Sequence, residues 1–373
     1  MAKQQLACVV GARPNFMKMA PILRAISAYP ELQPTLIHSG QHYDANLSDI
    51  FFQQLDMPEP DIHLEVGSGS HGAQTANVLS RMEEVLVKGP TGGGSYDRLI
   101  VVGDVNSTMA ATLAAAKLNL PVAHVEAGLR SRDRTMPEEV NRIVTDSLAD
   151  VLLVSEPDGV DNLRREGRPE TQIHLVGNVM IDSLLHQLQT VKSAGPIIDL
   201  GLQPGGYALV TLHRPSNVDA PEVLGRLVDV LVDLSEQLPV VFPIHPRTDA
   251  RLVAFDLRRR LDQAPGIHAL PPMGYREFLC FSSQAKVIVT DSGGLQEEST
   301  ALGIPCLTMR ANTERPITVD EGTSTLIGND VELLRQQLRV VISGEYKQGS
   351  CPALWDGKAS QRIASILLAE CAS

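Results

Sequence analysis

Much about the function of this 373-residue chain follows from what it lacks. Its five cysteines, Cys8, Cys280, Cys306, Cys351 and Cys371, lie far apart with no Cys-x-x-Cys pair, and three sit in apolar segments. That spacing argues against zinc and against a disulfide framework, and for buried thiols in a reducing cytoplasm. Positive charge is in deficit: 32 Lys and Arg against 44 Asp and Glu leave a net charge of −12. No basic patch able to release counterions from a polyanion is evident, so a nucleic acid is not an expected partner. A phosphorylated metabolite stays open if a local positive pocket meets it. No apolar run reaches membrane-spanning length, and Gln5–Val10 leads straight into a first strand, so neither an anchor nor a secretory leader is expected. No tandem repeat of short period is present.

What the chain has is alternation. Apolar runs at Leu6–Val10, Thr35–His38, Arg98–Val102, Val122–Val125 and Val151–Val154 read as strands, the last closing a first series. Helical spacing follows them over Met17–Tyr29, Ala45–Leu55, Met109–Leu118 and Glu138–Leu148. A second series has Ala208–Leu212, Val240–Ile244, Ile267–Leu270, Val287–Thr290 and Cys306–Met309, again with helices between. Continuous apolar strands alternating with helices predict an α/β fold with parallel sheets covered on both faces. Two series predict two doubly wound domains, and 373 residues suffice for two cores. The boundary is expected in the region Gly177–Pro204, where a helix over Met180–Val191 gives way to Gly- and Pro-rich segments.

In such sheets ligands bind beyond the carboxyl ends of the strands. After the first strand come Arg13 and Lys18 beside a helix start, which favours an anion. The cluster His38–Asp44 after the second strand has the composition of a turn and receives no role. Gly67-Ser68-Gly69-Ser70-His71-Gly72 spells a dinucleotide fingerprint between Ile62–Val66 and a helix over Thr75–Val87. It is not the first turn of its series, and the loop Lys88–Ser95 falls where a second, acid-tipped strand belongs, so a flexible loop is the better reading and no NAD is expected. Asp104 follows the strand ending at Val102, with Asn106 and Ser107 available as helix caps; Glu126 follows Val125. Glu138 comes after Pro137, and taken alone it is no more than an acid at a helix start. Three acids and several arginines converging on one sheet edge point to acid–base work.

In the second series His213 and His245 each follow a strand directly, without a third ligand at metal spacing, so no metal is expected. Asp291-Ser292-Gly293-Gly294 joins a buried strand to a helix over Leu295–Leu302. It reads either as a phosphate cradle, with Glu297 or Glu298 accepting from a sugar, or as a plain turn capped by Ser292. Arg310 and Arg315, after Met309, carry the charge that a diphosphate needs.

Gly11-Ala12-Arg13-Pro14, Gly103-Asp104, His124-Val125-Glu126-Ala127-Gly128-Leu129-Arg130, Pro137-Glu138-Glu139-Val140-Asn141-Arg142, Thr211-Leu212-His213-Arg214, Asp291–Glu298 and Glu314-Arg315-Pro316 together resemble the non-hydrolysing UDP-N-acetylglucosamine 2-epimerases, from Gly11 to about residue 328. The resemblance implies a GT-B-type architecture of two Rossmann-like domains with an interdomain cleft, residues 1–177 and 178–357. A last helix, about 358–373, would pack back on the first domain. It implies catalytic roles for Asp104, Glu126, Glu138 and His213, and substrate contacts for Arg13, Lys18, Arg142, Ser292, Gly293, Gly294, Glu298 and Arg315. It also implies a cytoplasmic homodimer acting on a UDP-N-acetylhexosamine without cofactor. Tyr43, Asp44 and Pro215 depart from the common bacterial pattern, which leaves activation by substrate and the sugar's other substituents open.

Overall fold

Two parallel sheets carry the chain. The computed structural model describes residues 3–40, 55–191 and 195–370, with only the backbone of Arg13. Gln41–Asp44, the helix expected over Ala45–Leu55 except its last residue, Ser193-Ala194 and Cys371 lie outside the described residues. The first sheet runs β3-β2-β1-β4-β5-β6-β7, with β1 Gln4–Val10, β2 Leu32–His38, β3 Ile62–His63, β4 Arg98–Val102, β5 Val122–Ala127, β6 Val151–Val154 and β7 Ile173–Leu175. The second runs β10-β9-β8-β11-β12-β13, with β8 Ala208–Thr211, β9 Val240–Pro243, β10 Ile267–Leu270, β11 Val287–Thr290, β12 Cys306–Thr308 and β13 Ser324–Leu326. Every strand pairing among the described residues is parallel.

The continuous apolar runs have their reason here. Every residue of β4, β5, β6 and β11 is buried, because helices cover both faces of a parallel sheet. Side chains still alternate. Ala208, Val210, Val287 and Val289 join one core of the second sheet, while Leu209 and Ile288 join the core on its other face.

Several readings need correction. The first series does not close at Val154, since β7 adds a strand, and β13 extends the second sheet in the same way. The Gly-x-Gly-x-x-Gly stretch is a helix start: Ser70 caps the helix His71–Lys88, its hydroxyl accepting from the Ala73 N–H at 3.3 Å. Neither Asn106 nor Ser107 is a cap. Both lie inside the helix Asn106–Lys117, whose cap position is Val105.

The chain divides into two compact units, Met1–His186 with Ala353–Ser373, and Gln187–Pro352. Composition places the division within Gly177–Pro204, and the resemblance at 177 and 357; the contacts place it at 186, inside the first range, and at 352. Within unit 1 the C-terminal helix Ala359–Ala369 packs against the helix Arg13–Ile26. Asp182 receives its first N–H groups, Ala359 at 3.1 Å and Ser360 at 2.7 Å, and the Ser360 hydroxyl at 2.6 Å. The Trp355 indole donates to the Ser155 carbonyl at 3.3 Å, and Gly177, at φ +89°, leaves no room for a Cβ beside the Leu354 carbonyl.

Candidate active site

In unit 1 the site grows from the carboxyl ends of β1, β4 and β5. Asn15, on the first turn of the helix Arg13–Ile26, accepts from the N–H groups of Gly11 and Ala12, each at 3.1 Å, and donates to the Val102 carbonyl at 2.9 Å. This ties the β1 turn to the end of β4. One turn along the same helix Lys18 is buried and paired with the Glu126 carboxylate. The sequence offered Lys18 as an anion ligand; its ammonium lies against a carboxylate of its own chain.

Glu126 sits at a bulge, where the β5–β6 register shifts between Val125 and Ala127. Its φ is +71°, in the left-handed region that costs a residue with a Cβ about 1–3 kcal/mol. Gly103, the residue after β4, has φ +67°, and a Cβ there would lie 2.9 Å from the Lys18 ammonium and 3.5 Å from Glu126 Oε2. A side chain at this φ would be strained and would crowd the Lys18 ammonium, so the backbone that presents Asp104 runs directly beside the Lys18–Glu126 pair.

Asp104 is half-buried and bonds Arg142 Nη1 at 3.1 Å. Arg142, fully buried on the helix Pro137–Leu148, also meets Glu139 at 3.3 Å. Glu139 accepts from the Ser131 N–H and hydroxyl at 2.8 and 3.0 Å and from the Arg132 N–H at 3.0 Å, which holds the preceding loop to the helix. Of the adjacent acids, Glu139 is thus buried in the scaffold and Glu138 is exposed on the first turn, apart from these ion pairs. The structure therefore gathers Asp104, Glu126, Lys18 and Arg142 into one cluster, while Glu138 is exposed on the helix that carries Arg142. Arg13 opens its helix right after the Gly11-Ala12 turn.

Unit 2 builds a second polar edge around a residue the sequence reading did not single out. Asp291, buried at the end of β11, accepts from the N–H groups of His213 at 3.0 Å and Arg214 at 2.9 Å, from the Asn217 amide at 2.9 Å, and from His213 Nδ1 at 2.8 Å. Burial works to raise its carboxyl, but the His213 bond and charge and the other donors outweigh it and hold the group below its ordinary value. His213 is thereby oriented with its ring partly exposed. His245, 5.5 Å away between ring centroids, accepts the Arg247 N–H at 3.2 Å and serves as a helix cap; burial and the nearby His213 lower its pKa.

Ser292 occupies the cap position of the helix Gly293–Leu302, yet its side chain makes no cap hydrogen bond. The plain-turn reading loses its main support. A Cβ on Gly293 would meet Glu314 Oε1 at 3.1 Å, Arg310 Nη1 at 3.4 Å and Arg315 Nη1 at 3.6 Å, whereas Gly294 faces open space. Around that turn Arg315 pairs with Glu297 at 2.6 Å and Glu314 at 3.0 Å, and Arg310 with Glu314 at 2.7 Å. Glu314 is held far below the usual carboxyl range: burial opposes this, but Arg315 and Arg310 prevail. Glu297 is therefore a partner for Arg315, while buried Glu298 accepts from the Tyr275 hydroxyl at 3.0 Å.

Two parallel α/β units, each with its polar residues at the carboxyl ends of its strands, are the layout of GT-B-type proteins that handle nucleotide sugars. The sequence model of UDP-N-acetylglucosamine 2-epimerase matches residues 24–368. The chain is 39% identical over 368 residues to the UDP-N-acetylglucosamine 2-epimerase of Methanocaldococcus jannaschii, covering 97% of this chain and 98% of that one. It is 38% identical to the UDP-2,3-diacetamido-2,3-dideoxy-D-glucuronate 2-epimerase of Pseudomonas aeruginosa, over 97% and 99% of the two chains. The crystal structure of the M. jannaschii enzyme in complex with UDP-GlcNAc and UDP superposes with a TM-score of 0.86, over 98% of this chain and all of the other. The chain belongs to the UDP-N-acetylglucosamine 2-epimerase family, and is an isomerase.

Proposed function

We propose that the protein interconverts UDP-GlcNAc and its C2 epimer UDP-ManNAc by eliminating UDP and adding it back. The observation that carries this reading is the cluster at the ends of the neighbouring strands β4 and β5, where Asp104 follows β4 and Glu126 lies on β5, each with a cation. C2 of the sugar has no adjacent carbonyl, so its proton is not acidic. Elimination answers this: a carboxylate takes the C2 proton as UDP leaves C1, and a second acid returns a proton to the opposite face of the resulting 2-acetamidoglucal. Asp104, Glu126 and Glu138 are the proton-transfer groups in this reading, and Arg13, Lys18 and Arg142 set the charge around them.

The leaving group is a nucleoside diphosphate that must be retained for re-addition. Ser292, free of cap duty, with Gly293, Gly294 and Arg315, binds the diphosphate at the start of its helix. Glu298 binds the ribose, and His213, held by Asp291, acts beside the departing phosphate. Unit 2 retains the nucleotide; unit 1 moves the proton. The family resemblance further supports a cytoplasmic homodimer, whose stoichiometry sedimentation equilibrium measures.

The 38% identity to an epimerase of a diacetamido uronic acid favours one second reading, in which the substrate is a UDP-diacetamido sugar. Proton NMR in deuterated water separates the two. UDP-GlcNAc is expected to epimerise with solvent deuterium entering C2 and without free UDP building up. Product without exchange, or conversion of the diacetamido substrate alone, would overturn the first reading.

A further inference from the structure

Behind the two carboxylates lies a buried chain of charges that the reaction as drawn does not use. His124, on β5 two residues before Glu126, is completely buried. Its Nδ1 lies 2.7 Å from Asp146 Oδ1 and its Nε2 lies 2.9 Å from the Gly103 carbonyl oxygen. Both ring nitrogens thus face an acceptor oxygen.

Asp146, on the helix Pro137–Leu148, is equally buried. Its other oxygen accepts from the Gly128 N–H at 3.0 Å and from Arg130 Nη1 at 2.7 Å. Burial acts to raise this carboxyl, yet His124 and then Arg130 hold it below its ordinary value. Arg130 closes the chain by forking onto Glu166 at 2.8 and 2.6 Å.

The two ends of this network are the two turns that matter. Through His124, Asp146 holds the carbonyl of Gly103, the residue before Asp104. Through the Gly128 N–H it holds the turn two residues after Glu126, whose own backbone is in the left-handed region. Gly128 has φ +83°, and a Cβ on it would lie 2.3 Å from the Gly159 carbonyl oxygen, so this turn has no slack of its own. An unpaired buried charge is costly, so such a network is maintained only when complete.

We propose that Asp146 and His124 are positioning residues, which together fix the relative placement of Asp104 and Glu126 without touching substrate. The proposal rests on the reading that these two carboxylates transfer the C2 proton. A displacement of about 1 Å in a reacting group can cost on the order of 100-fold in rate. Loss of the network is therefore expected to act on the proton-transfer step and to leave nucleotide binding in unit 2 alone.

Asp146→Asn and His124→Gln test this with UDP-GlcNAc and its C2-deuterated form, after the wild-type protein has been seen to epimerise. For each variant that folds, kcat is expected to fall roughly 10- to 100-fold, with KM within about threefold of wild type. The deuterium isotope effect on kcat should rise as proton transfer becomes rate-limiting. A variant that merely lost folded molecules would show an unchanged isotope effect. Wild-type kcat, an unchanged isotope effect, or failure of both variants to fold would each overturn the proposal. Failure of the wild-type protein to epimerise would instead remove the functional reading beneath it.

Discussion

Glu126 combines three features that seldom meet in one residue: a bulge, a positive φ and a buried ion pair. Each is costly alone, and their joint presence at a strand end marks a backbone held for the sake of its side chain. Glu126→Gln keeps the shape but cannot take a proton, and Asp104→Asn does the same across the turn. Either is expected to lower turnover by roughly 10²–10⁴-fold, the range for positioned acid–base groups, with UDP affinity unchanged. Steady-state kinetics beside a UDP titration reads both quantities. Near-wild-type rates for both variants would sink the assignment. The residue scale is also where the sequence is least readable. Glu138 and Glu139 are chemically alike and adjacent, yet one is exposed and the other holds Ser131 and Arg132. Lys18 and Glu126 stand 108 residues apart, so their pairing could not be inferred from spacing.

At the scale of elements, legibility followed the apolar runs. β4, β6 and β11 stand where those runs predict, because a strand buried on both faces has a composition of its own. β7 and β13 were missed since three residues with a His or Thr in the middle carry no run to detect. The helix Asn106–Lys117 was started late for a related reason. Its first turn, Asn106-Ser107-Thr108, is polar and reads as loop, though all three residues are buried. The turn before the helix Gly293–Leu302 makes a prediction of its own. Gly293→Ala places a methyl 3.1 Å from Glu314 and 3.4 Å from Arg310, where the ion-paired cluster must give way. UDP binding should weaken about tenfold, or ~1.4 kcal/mol, while Gly294→Ala, which meets nothing, should change it far less. Isothermal titration calorimetry with UDP distinguishes these outcomes from equal effects, which would remove Gly293 from the diphosphate site.

Across the whole molecule, charge is handled by pairing inside an acidic protein. Asp291 and Glu314 in unit 2 are both held below their ordinary values. A carboxyl depressed on folding adds stability at pH above its unfolded value, and that contribution is lost as pH falls towards the folded value. Unit 2 is therefore expected to lose on the order of a few kcal/mol between about pH 5 and pH 2. Thermal melts across that window check it, and a melting temperature flat down to pH 3 would contradict it.

The return of the chain to unit 1 has a consequence for biosynthesis. Unit 2 is one continuous segment, whereas unit 1 is completed only by residues 353–373. On the ribosome, unit 2 has all its residues available while Asp182 still waits for the N–H groups of Ala359 and Ser360. The part proposed to carry the proton chemistry is begun first and completed last, so its nascent form depends for longest on protection from aggregation.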